Sequence, residues 1–309
     1  MHEWASARGE VTVTDISKIH PPDSPPGRLL LATDLGVRCD RALDRSAQLA
    51  REWHAEIVAL NVVDPSVYPD RTLAWIGGAT DDELMNVAHR QLARDLSGTG
   101  MPARVRIVRG RDPETAIRET ACAVEADLVV TGIARQETLG QLLLGSTNER
   151  LARCLRQPLL VVHARTHGPY RRIVVATDFS AASRQALLTA IAFFPGRDVT
   201  LYHAYTPPMS GFSTNPASVG AALRTAYAQC AAFIEGTPLP TGIDLHAVVE
   251  CGTLVSTLGC YVRKNRVDLV VIGRNRRDGI MNFILGNTAE RLLEGLSCDM
   301  LIAQTARAP

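Results

Sequence analysis

The sequence predicts an α/β protein made of two copies of one domain, each an open sheet of five mainly parallel strands with helices on both faces. Three observations carry this. The chain repeats itself: residues 127–132 (DLVVTG) return as 268–273 (DLVVIG), 144–151 (LGSTNERL) as 285–292 (LGNTAERL), and 31–34 (LATD) as 175–178 (VATD). Its strand-like runs are apolar along their whole length and alternate with helix-period stretches, which is the pattern of a parallel sheet covered on both faces. A chain of 309 residues is long enough for each copy to bury a core of its own.

The elements follow in order. Residues 28–33 form an apolar run that ends at Asp34, and Ala42, Leu43, Ala47, Leu49 and Ala50 then recur at helical spacing until about His54. Strands are expected at 57–63, 103–108, 127–131 and 158–162, with helices at 83–96, 113–124 and about 147–155. The second copy repeats the strands at 172–177, 199–204, 245–249, 268–272 and 300–303. The division is an N-terminal extension, 1–27; a first domain, 28–163; a linker, 164–170, with Gly168 and Pro169; and a second domain, 171–309. So short a linker implies halves packed side by side.

Lys and Arg number 33 against 32 Asp and Glu, so bulk charge supports neither nucleic acid nor a membrane surface as partner. Basic residues do not interleave with aromatics, no run is long enough to span a bilayer, and residues 1–27 lack the apolar stretch of a signal peptide. The seven cysteines are scattered without a C-x-x-C pair and read as buried free thiols of a reducing compartment, so a cytoplasmic location is expected. His163 and His167 have metal-like spacing but no nearby third ligand, and no metal is predicted. No G-x-S-x-G, Walker-type or H-E-x-x-H motif is present, so no catalytic residue is assigned.

In open α/β sheets a ligand lies beyond the carboxyl ends of the strands, where the winding reverses. Those ends carry Asp34, residues 61–64 with Asn61 and Val62, and the loop from Gly132 to Ser146 in the first copy. In the second they carry Asp178, residues 203–205 with His203 and Ala204, and the loop from Gly273 to Asn287; His203 faces the pocket or, as the favoured reading, is a satisfied, partly buried imidazole. The fourth strand of the first copy leads from Gly132 to Gly145-Ser146-Thr147, which opens a helix; the second copy leads from Gly273 to Gly286-Asn287-Thr288. Free amides and the helix dipole at such a start favour an anion. Ser146 with Glu149, and Asn287 with Glu290, also have the spacing of a capping box, and Asp34 and Asp178 equally suit turn or helix capping.

A strand ending in Asp, and a fourth strand followed by a G-x2-G-x9-G-[ST]-like loop, resemble the universal stress protein family in both copies, from about 28–162 and 172–303. The tandem form and the G-N-T-A-E run at 286–290 are similar to its two-domain branch. The resemblance implies ATP as cofactor on that loop, an Asp at the first strand near adenine and ribose, and a pseudo-twofold arrangement in which the last strands of the two domains pair. It leaves a further homodimer of the tandem chain open.

At the second motif glycine the two copies carry Arg135 and Arg276. If that position has positive φ, a side chain costs about 1–2 kcal/mol and sets a Cβ where phosphate would press. This favours a changed ligand or a decayed site over ATP in the family's usual pose. Arg274, Arg276 and Arg277 suit another anion, or are solvated loop residues. The expected function is a non-enzymatic stress-response protein binding a nucleotide or other small anionic ligand at this loop; the alternatives are a scaffold with decayed sites and a slow ATP hydrolase relying on Asp34 and Asp178.

Overall fold

The computed structural model describes residues 24–35, 40–64, 81–133, 135–138, 141–144, 146–206, 216–243, 245–274, 291–292 and 295–304. In the first half, β1 (Arg28–Thr33), α1 (Asp40–Trp53), β2 (Glu56–Val63), α2 (Asp81–Ser97), β3 (Ala103–Arg109), α3 (Pro113–Ala123) and β4 (Leu128–Gly132) follow the predicted order. A hairpin of β5 (Arg135–Thr138) and β6 (Gln141–Leu144) comes next, then α4 (Ser146–Cys154) and β7 (Leu159–Val162). The second half contains β8 (Arg172–Ala176), α5 (Ala181–Phe193), β9 (Asp198–Tyr205), α6 (Pro216–Glu235), β10 (Leu245–Cys251), α7 (Leu254–Asn265), β11 (Leu269–Arg274) and β12 (Asp299–Gln304).

All main strands join one ten-stranded sheet in the order β10-β9-β8-β11-β12-β7-β4-β1-β2-β3. Pairing is parallel within each half and antiparallel where β12 meets β7, with Leu301 opposite Leu160. The expected fold class is therefore observed, with two five-stranded open sheets joined through their last strands. Each sheet winds both ways from its first strand, because β1 pairs β2 and β4, and β8 pairs β9 and β11.

The repeated Asp of the DLVV runs is a structural residue. Asp127 Oδ2 accepts the N–H groups of Gly27 and Arg28 at 2.9 and 2.8 Å, and Asp268 Oδ2 accepts those of Arg171 and Arg172 at 2.9 Å. Each carboxylate satisfies amides that have no ladder partner where the first strand begins.

The halves share their cores. One cluster unites Leu31, Leu49 and Val130 with Val175, Ala190 and Leu301; the opposite face unites Leu30, Val129 and Leu151 with Val270 and Met300. Trp53 packs against Phe193 and Phe194, with ring centroids 5.8 and 5.4 Å away. Asp299, fully buried, joins the halves electrostatically: Arg45 Nε lies 3.2 Å from its Oδ2, and the Tyr170 hydroxyl donates to the same oxygen at 2.6 Å. His163 N and Ala164 N donate to Oδ1 at 2.8 and 2.9 Å, and the Arg45 guanidinium lies 4.0 Å from the Tyr170 ring centroid. Burial and the neighbouring Asp299 carboxylate hold the Tyr170 phenol well above its ordinary pKa.

The reading of the cysteines as buried needs correction. Among the described thiols, all free, only Cys230 and Cys298 are buried; Cys122, Cys251 and Cys260 are exposed, because each falls on an outward helix or strand position that apolar neighbours conceal in the sequence. Burial pushes the Cys298 thiol up to about 12, and burial with the adjacent Glu114 pushes Cys154 up to about 11. Since the thiolate is the reactive form, iodoacetamide at pH 8 is expected to label Cys122, Cys251 and Cys260 first, read by peptide mass spectrometry. Prior labelling of Cys298 in folded protein would contradict this packing.

Candidate functional site

The winding reverses between β1 and β4 in the first half and between β8 and β11 in the second, so the carboxyl ends of those strands form the candidate sites. The two first-strand ends are built alike. Thr33 Oγ1 accepts the N–H of Leu35 at 3.1 Å, and Thr177 Oγ1 accepts that of Phe179 at 2.9 Å. These turns hold Leu35 and Phe179 at φ of 59° and 66°, a left-handed backbone that costs a bulky residue about 1–2 kcal/mol. Such strain, present in both halves at the same place, marks a turn held by its surroundings.

Asp34 and Asp178 are exposed on these turns. Asp178 Oδ1 accepts the N–H of Ser180 at 3.1 Å, and Ser180 caps α5 by accepting from Ser183 N at 3.2 Å. The capping reading thus holds for Asp178, which keeps its second oxygen.

The second strand of each half supplies a polar side chain at the strand end, as the sequence placed it. Asn61, 4% exposed, donates its amide to Thr33 O at 2.8 Å, and His203 Nδ1 lies 2.9 Å from Thr177 O. A carbonyl can only accept, so His203 Nδ1 carries the proton. Its ring also lies against Phe179, with centroids 4.3 Å apart, and Phe179 in turn packs on Phe233 of α6. Asn61 and His203 hold matching positions in the repeat, and the expectation of a satisfied imidazole at His203 agrees with this contact. Val62 and Ala204 follow them and are half-buried.

Gly132 ends β4 opposite Val162, and its carbonyl accepts the side-chain amide of Asn148 at 3.0 Å. Asn148 is 4% exposed on the first turn of α4, so it fixes the helix start against the strand end, with Thr147 half-buried beside it. The second copy has Ala289 in its place. Ser146 is the first helical residue. Gly145, Arg276, Gly286, Asn287 and Thr288 lie outside the described residues.

Two sequence expectations change. Arg135 opens the extended strand β5, paired with Leu144, and is not among the positive-φ residues, so no left-handed cost attaches to it. Two short strands were not foreseen because four-residue runs give too little periodicity to read. Gly273, in turn, is a packing residue: an added Cβ would overlap the Ala182 carbonyl and stand 2.8 Å from Ser183 N in α5. The Arg274 guanidinium lies 3.2 Å from Gln304 Oε1 of its own half and 3.4 Å from Leu155 O of the first half.

Among the described residues no group of His, Cys, Asp and Glu has the arrangement of a metal site, and no helix is long and apolar enough to cross a membrane. The residues can therefore present amides, hydroxyls and one strand-end carboxylate per half to a small ligand.

A sequence profile of the universal stress protein family matches this chain twice, over residues 26–163 and 169–304. A universal stress protein of Mycolicibacterium smegmatis is 23% identical over 298 residues, covering 89% of this chain and 96% of that protein. Another, of Methanocaldococcus jannaschii, is 24% identical over 140 residues, which is 44% of this chain and 82% of the relative. The crystal structure of a universal stress protein from Archaeoglobus fulgidus has the same fold, with a TM-score of 0.62 at 18% identity over 90% of this chain and 96% of that one.

Proposed function

The chain belongs to the universal stress protein family as two tandem copies, and from that premise we propose that it is a non-enzymatic stress-response protein of the cytoplasm that binds a nucleotide or other small anionic ligand at the turn between β4 and α4. The observation that carries the reading is the Asn148 clamp on Gly132. It holds the first turn of α4 at the switch point, where the amides of a helix start and the positive end of its dipole favour phosphate. The first copy is the better nucleotide site, because it keeps Ser146 and Asn148 where the second has Asn287 and Ala289. In the second copy the strand end carries Phe179 packed at a tilt against His203, and this copy is the candidate for a non-nucleotide anion. ATP is the cofactor that the motif points to; Arg135 and Arg276 make another anion the alternative.

Native mass spectrometry of protein purified without added nucleotide, followed by thermal shift with ATP, tests this. Gly145→Val should weaken ligand binding at least about tenfold, because a branched side chain would crowd an anion against the helix start, while circular dichroism stays that of the wild type. A Gly145→Val protein that binds as the wild type does would remove this site from consideration. Protein that is empty and unshifted by ATP would favour a scaffold.

A further inference from the structure

We propose that the outer edge of β3 is a docking site for an extended acidic segment of a partner protein, which it takes up as an added strand of the sheet. β3 is a terminal strand of the ten-stranded sheet, paired on one side with β2. Among the described residues no strand pairs with its other side, so the backbone N–H and C=O groups that point away from β2 form an open template. Two strands, β1 and β2, separate this edge from β4, so the inference stands or falls apart from the ligand reading.

The charge of the edge selects the occupant. Arg104, Arg106, Arg109 and Arg111 follow one another on or just after β3, and all are exposed. Glu56 holds Arg104, whose Nη2 donates to Oε2 at 2.7 Å, whereas among the described residues Arg106 and Arg111 have no carboxylate partner. Strand alternation puts Arg104 and Arg106 on the same face as Val108, which packs in the cluster that holds Ile117 and Ala121 of α3. On that face Arg106, Val108 and Arg111 line a groove of about 460 Å³ with Thr115 and Ala116. An added strand with Asp or Glu at alternate positions sets its carboxylates across from Arg104 and Arg106, where opposite charges on neighbouring strands attract. Main-chain hydrogen bonds then supply affinity and the alternate side chains supply specificity.

A phosphate-rich polyanion fits this edge less well. Strand carbonyls need donors that a peptide has and a phosphodiester lacks, and Asp112 and Glu119, which also line the groove, repel phosphate. Arginines on an edge strand also discourage pairing between copies, since two β3 edges would oppose like charges. The fold does not require them for that purpose: β10, the opposite edge, has no arginine over 245–251 (LHAVVEC).

Fluorescence anisotropy of the full chain with a labelled peptide of about eight residues, alternating Thr and Glu, tests this. The peptide should bind the wild type, and the double variant Arg106→Glu, Arg111→Glu should bind it at least about tenfold more weakly with an unchanged thermal midpoint. Methylating every peptide amide, which leaves the protein as it is, should abolish binding. Hydrogen exchange read by mass spectrometry should show 103–109 slowed by the peptide and 245–251 unaffected. No binding at millimolar peptide, equal binding by the double variant, equal binding of the methylated peptide, or equal slowing at β10 would each overturn the proposal. So would tighter binding of a single-stranded DNA of the same charge, which would make the arginines a polyanion patch.

Discussion

Asp299→Ala is expected to destabilise the protein by about 3–5 kcal/mol, because it leaves the Arg45 guanidinium buried without its counter-charge. Arg45 is 4% exposed and Asp299 fully buried, so water cannot replace the lost partner. The substitution also removes the acceptor of the Tyr170 hydroxyl and of the amides of His163 and Ala164. Tyr170→Phe, which deletes only one donor, should cost about 1 kcal/mol. Urea denaturation followed by tryptophan fluorescence is a suitable measurement, since Trp53 lies at the junction against Phe193 and Phe194. An Asp299→Ala midpoint equal to that of the wild type would mean that the shared apolar cores alone join the halves. Among the described residues the network occurs once: the repeat aligns Asp299 with Pro158 and Arg45 with Thr189. It thus distinguishes the two halves of an otherwise symmetric arrangement.

Gly273→Val should also be severe, about 3 kcal/mol or more, since overpacking of a dense interior commonly costs 1–3 kcal/mol and here the obstacle is backbone. Strand β11 and the first turn of α5 approach so closely at this glycine that even one methyl group overlaps the Ala182 carbonyl. Relief requires α5 to move off the sheet and to uncover Leu187 and Ala190, both fully buried. Thermal unfolding by circular dichroism should show a lowered midpoint before any ligand is added. An unchanged midpoint would show that α5 tolerates displacement. Loss of binding in a Gly273 variant would therefore report on packing, whereas Gly145→Val in the first half tests the proposed ligand site.

Several features were legible in the residues alone. The repeat, the alternation of apolar strands with amphipathic helices, and Asp34 and Asp178 at the ends of the first strands all depend on spacing within a short window. Local pattern of that kind survives in any fold the chain adopts. The correspondence of Gly132 with Gly273 was equally visible, but their roles were not. Gly273 is required by a helix that begins some ninety residues earlier in the chain, and no local pattern encodes that approach. The same holds for Cys122, Cys251 and Cys260, exposed by the orientation of their elements, and for Arg274, placed between Gln304 and the Leu155 carbonyl.

The sequence by itself determined that this protein is a tandem α/β chain with one candidate site at each switch point. Only the tertiary structure decided which polar residues serve the fold: Asp127 and Asp268 as strand-start clamps, Asn61 and His203 on strand-end carbonyls, and Arg45 with Asp299 across the junction. The physical reason is range. Periodicity is a property of neighbours along the chain, whereas the worth of a charge or hydrogen bond depends on how far water is excluded by residues distant in sequence.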